Sequence, residues 1–116
     1  MGELPPQVQN MVAQMQQVQQ QLQAVIAQRI QVEGLLKETN DALEEVKKIA
    51  DDDPVFKVVG NVLVKSSKED VVKELEERKE TYEVRINTLK RQEDRLKDRL
   101  AEIQKKLQSI LSPQAG

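Results

Sequence analysis

Residues 51–67 read DDDPVFKVVGNVLVKSS. Two short β-branched runs, Val55 to Val59 and Val62 to Ser66, are separated by Gly60-Asn61. Glycine at the first central position is what a two-residue type II′ turn requires, so the stretch predicts an antiparallel hairpin. That turn sets Val59 against Val62, Val58 against Leu63 and Phe56 against Lys65. Val55, Lys57, Val59, Val62 and Val64 then share one face, and Phe56, Val58, Leu63 and Lys65 the other. Both faces are mostly apolar, both edges are unpaired, and an isolated two-stranded hairpin is marginal in water. The hairpin is therefore expected to serve assembly, through Val55, Phe56, Val58, Val59, Gly60, Val62, Leu63 and Val64.

An arm with a heptad pattern lies on each side. Before the hairpin, Val8, Met11, Met15, Val18, Leu22, Val25, Arg29, Val32, Leu36, Thr39, Leu43 and Val46 keep an unbroken 3-4 spacing. After it, Val72, Leu75, Lys79, Tyr82, Ile86, Leu89, Glu93, Leu96, Leu100, Ile103, Leu107 and Ile110 do the same. Such a pattern over more than five heptads is the seam of a coiled coil. With the turn in the centre, the arms are expected to pair antiparallel. Setting Val46 against Val72 brings Val8 against Ile110 and Thr39 against Lys79, and leaves Arg29 within about one turn of Glu93. Polar seam positions of this kind specify register.

The predicted layout is one domain: a first coiled-coil helix over 5–50, the connector with its hairpin over 51–67, a second helix over 68–111 and a tail over 112–116. Pro5 and Pro6 suit a first helical turn, where a missing N–H costs nothing. Lys47 and Lys48 suit a last turn, and Pro54 prevents continuation. Ser67 with Asp70, and Ser66 with Glu69, are both candidate caps for the second helix. From Gln7 to Gln31 there are eleven glutamines and Arg29 is the only charge, whereas the second arm alternates in sign. Apolar residues also stand off the seam at Val12, Ile26, Ile30 and Leu35, more than a solitary two-helix coil requires.

Composition excludes several classes of function. Among 116 residues there is no histidine and no cysteine, which removes the commonest general base, the thiol nucleophile and the thiolate metal site. Neither a metal site nor a cofactor is expected. Asp51, Asp52 and Asp53 lack the spaced oxygen ligands and glycine of a calcium loop and read as a solvated helix stop. A net charge of −2 and basic pairs interrupted by acids disfavour nucleic acid and anionic lipid. MGELPPQVQN has no signal-peptide pattern and no apolar run approaches a membrane span, so a cytoplasmic protein is expected.

PPQVQNMVAQMQQVQQQLQAV at the start, DDDPVFKVVGNVLVK in the centre and LKRQEDRLKDRL in the second arm, taken in that order, resemble the β-class subunits of archaeal prefoldin. The resemblance covers almost the whole chain. An α-class subunit needs a longer connector with two hairpins, and the 17 residues here hold one. The sequence departs from the pattern at Phe56, where tyrosine is expected, and at Pro54. The resemblance implies a hexameric, ATP-independent chaperone built from an α-class partner and further copies of this chain. Its hairpins would combine into an intersubunit β-barrel platform, and its coil ends would hold unfolded proteins and pass them to a group II chaperonin.

A second reading is a structural tether or scaffold whose coils only set a distance. A scaffold predicts sealed, polar coil ends; a holdase predicts apolar residues there in excess of the seam. Leu4, Val12 and Leu111 lie off the seam beside Val8, Met11, Met15, Ile103, Leu107 and Ile110, which favours the holdase and makes these nine the expected client-binding residues. Methionine adds an adaptable contact surface.

Overall fold

The structure is a computed structural model that describes residues 4–112. Its element order is α1 (Pro6–Lys48), β1 (Val55–Val59), β2 (Val62–Ser66) and α2 (Lys68–Leu111). The fold is mainly helical, an antiparallel two-helix coiled coil with one central hairpin. Pro113 and the rest of the tail lie outside the described residues.

Local chemistry sets each helix end. Gln9 N–H donates to the Pro5 carbonyl at 3.0 Å, the first turn of α1. The Gln9 side-chain amide reaches the Leu4 carbonyl at 2.8 Å. At the start of α2, Ser67 is the cap: its Oγ accepts from Asp70 N–H at 3.1 Å, and its carbonyl accepts from Val71 N–H at 3.0 Å. Glu69 and Asp70 place negative charge in that first turn, where the helix dipole favours it. Of the two candidate caps, the serine adjacent to the helix is the one used.

The strands pair as Val55 with Ser66, Phe56 with Lys65, Lys57 with Val64, Val58 with Leu63 and Val59 with Val62. Gly60 has φ of 60° and no other described residue has a positive φ. That excludes a type I′ turn, which needs positive φ at both central residues, and fits type II′.

Contacts divide the chain into two compact units, Met1–Arg29 with Thr88–Gly116, and Ile30–Asn87. In each, the core is the seam. None of the twelve seam positions of α1 is exposed, and of the twelve in α2 only Ile110 is. Val8, Val18, Leu89 and Ile103 are buried in the first unit; Val32, Leu43, Leu75 and Ile86 are buried in the second. Thr39 is also buried, and its hydroxyl donates to the Leu35 carbonyl of its own helix at 2.8 Å. Among the off-seam apolar residues, Val12 and Ile26 are half-buried while Ile30 and Leu35 are exposed.

Candidate functional site

The hairpin is bare where it extends from the helices. Phe56 is 58% exposed, Val58 71% and Leu63 69%, all on one face. On the other face Val59, Val62 and Val64 are exposed too, and only Val55 is buried. Six large apolar side chains around one tight turn lack cover from their own chain. The two-stranded sheet has no third strand, so its outer backbone groups have no sheet partner among the described residues.

The base of the hairpin is held firmly. Lys68 Nζ donates to the Ile49 carbonyl at 2.8 Å and to the Lys47 carbonyl at 3.2 Å, and contacts Asp51 Oδ1 at 3.2 Å. The first residue of α2 thus satisfies carbonyls left open at the end of α1, where a cation is favoured by the helix dipole. Asp53 Oδ2 accepts from Ala50 N–H at 3.3 Å, so this acidic stretch shapes the turn. Lys57 on β1 meets Glu74 on α2 at 3.4 Å. Sequence reasoning did not find the Lys68 clamp, because its acceptors are backbone carbonyls about twenty residues away.

At the coil end, the nine expected client-binding residues separate by exposure. Val8 is 1% exposed and Ile103 is also buried, both as seam members. Met11, Val12, Met15 and Leu107 are half-buried. Leu4, Ile110 and Leu111 are the exposed large apolar side chains. Gln21, Ala24, Val25, Gln92, Arg95 and Leu96 line a shallow groove of about 420 Å³ beside the seam.

One seam layer in this unit is ionic. Arg29 Nε donates to Glu93 Oε1 at 2.7 Å, and Lys97 Nζ donates to Glu93 Oε2 at 3.0 Å. Glu93 is buried and both of its oxygens are engaged. The hydrogen bond from Arg29 and then that from Lys97 hold its carboxyl below the usual glutamate range. Sequence spacing put the two residues within a turn of each other; their long side chains close that gap.

No group of three or more acidic side chains among the described residues is placed to hold a metal ion. No described helix is long and apolar enough to cross a membrane.

The sequence model described as "Prefoldin subunit" matches residues 9–114. Prefoldin subunit beta of Archaeoglobus fulgidus is 69% identical over 116 residues, covering 100% of both chains. Prefoldin subunit beta of Pyrococcus furiosus is 45% identical over 113 residues, covering 97% of each. The crystal structure of the prefoldin beta subunit from Thermococcus strain KS-1 superposes with a TM-score of 0.89 at 45% identity, covering 96% of this chain and 97% of that one. The beta2 subunit from the same strain, 20% identical with a TM-score of 0.70, shares the fold. Together with the bare hairpin and the coil, these likenesses define a chaperone subunit of a hetero-oligomeric kind and not an enzyme. The chain belongs to the prefoldin subunit family, in its beta class.

Proposed function

We propose that this chain is a subunit of an ATP-independent holdase in the cytoplasm. It assembles through its hairpin with an α-class partner and further copies of itself, and the hairpins close a β-barrel platform in a hexamer. The coil ends capture unfolded proteins and deliver them to a group II chaperonin.

The observation that carries the client-binding reading is the apolar excess at the coil end, where Leu4, Ile110 and Leu111 are exposed beside half-buried Met11 and Met15. Covering one such side chain contributes about 1.5–3 kcal/mol when burial is complete. Several coil ends on one assembly would hold a single unfolded chain multivalently, without selecting a fixed sequence.

Deletion of residues 1–12 and 104–116 tests the reading. The expected outcome is a hexamer of correct size by sedimentation that no longer suppresses aggregation of a denatured protein. Full suppression by the assembled truncated protein would place the client site elsewhere and favour the scaffold.

A further inference from the structure

The client-binding reading leaves open how far along the seam an unfolded chain can enter. We propose that the Arg29–Glu93 pair is a stop, confining client insertion to the seam between that layer and the chain termini. The inference rests on the coil-end reading above and adds a boundary to it.

The physical reason is the difference between apolar and ionic layers. Val18, Leu22 and Val25 on α1, and Leu96 and Leu100 on α2, are half-buried or buried apolar seam members. Apolar contact is non-directional, so a client side chain of suitable size can take the place of the facing residue at little cost. The groove beside Val25 and Leu96 offers such a segment a place to lie. The next layer differs. Arg29 and Glu93 face each other at 2.7 Å, and Glu93 is buried with its second oxygen on Lys97. An apolar client segment supplies neither a carboxylate for Arg29 nor a guanidinium for Glu93. Separating the pair under such a segment would break a 2.7 Å ion pair and leave Glu93 with Lys97 alone, which is costlier than separating two apolar side chains. Insertion that proceeds layer by layer from the termini therefore halts here, before Leu89.

Replacing both charges together removes the stop without weakening the coil, since an apolar pair of similar volume is neutral or stabilising in place of a buried ion pair. The test places a photo-crosslinking amino acid at exposed Gln104 in one preparation, and at exposed Glu38 or Glu80 in others, within the assembled complex. The probe is reduced, carboxymethylated α-lactalbumin, which stays unfolded. In the parent protein the probe should crosslink at Gln104 and stay at background at Glu38 and Glu80. With Arg29→Leu and Glu93→Leu together, crosslinking at Glu38 and Glu80 should rise to the level at Gln104 while the thermal midpoint does not fall. If that variant alters the assembly in sedimentation, Arg29→Met with Glu93→Met is read by the same criteria. Equal crosslinking at all three positions in the parent, or background levels at Glu38 and Glu80 in the double variant, would overturn the stop while leaving client capture standing. A parent complex that protects no client, or crosslinks at none of the three, removes the coil-end reading and the stop together.

Discussion

Leu43 and Leu63 are the same residue type in one chain, yet Leu43 is 5% exposed and Leu63 is 69% exposed. Leu43 belongs to a 3-4 repeat whose partner repeat lies in the same polypeptide, so the chain covers it unaided. Leu63 belongs to a two-stranded sheet whose two faces and two edges exceed what one chain supplies. The coil thus covers its own seam within one chain, whereas the hairpin's apolar surface is left uncovered by that chain. Apolar content is similar in kind in the two regions; the period in which it is written decides whether the chain itself provides the cover.

Charge on the hairpin should break this contrast most severely. Val58→Asp with Leu63→Asp puts two carboxylates on the apolar face and should reduce the hexamer to smaller species in sedimentation, while helical content by circular dichroism is retained. A hexamer of unchanged size would remove the assembly role from this face. The next largest effect separates the two leucines directly. Leu43→Ala should cost the isolated chain about 2–3 kcal/mol in urea unfolding, as expected for a large-to-small change in a core. Leu63→Ala should change the same measurement by less than about 0.5 kcal/mol, as surface substitutions do, and should instead lower the affinity of assembly.

A smaller effect concerns the ionic layer at Arg29 and Glu93. The carboxyl of Glu93 is held below its ordinary range in the folded chain, first by Arg29 and then by Lys97. A depressed carboxyl contributes stability above its unfolded value, about 4.3 for glutamate, and that contribution is lost as pH falls through the folded value. The thermal midpoint of the parent should therefore exceed that of Glu93→Gln near neutral pH, and the gap should close only below about pH 4.3. A gap that stays constant into strong acid would show that the Arg29–Glu93 bond is not the source.

The heptads made the seam legible residue by residue, because a period of 3.5 admits one buried stripe per helix. Gly60-Asn61 made the hairpin register legible, because the turn type fixes which residues face each other. The Lys68 clamp was not legible: it joins a side chain to backbone carbonyls, and carbonyls carry no sequence signal. The coil end was legible only as a group of nine. The heptad set Val8 in the seam and Leu111 off it, and their exposures agree. Ile110, however, is a seam position that is exposed, and Val12 an off-seam one that is half-buried. Exposure depends on which side of a helix a residue occupies relative to its partner, and near a helix end the heptad gives that less sharply.

Lys68 also bears on the order of folding. The contact between Lys68 and Ile49 closes a loop of 19 residues, whereas Arg29 and Glu93 are 64 apart. Loop-closure entropy rises with the logarithm of length, so closing the longer loop first costs about 1 kcal/mol more. Once the short loop is closed, each seam layer beyond it extends a coil already begun and closes little new chain. The two arms should then zip from the turn outward, with the clamp among the early contacts. Stopped-flow refolding of Lys68→Ala should be slowed with little change in the unfolding rate; a variant that refolds normally and unfolds faster would mean the clamp closes late. On this expectation, an ammonium on two carbonyls helps to fix, beside the hairpin, the point from which two long repeats find their common register.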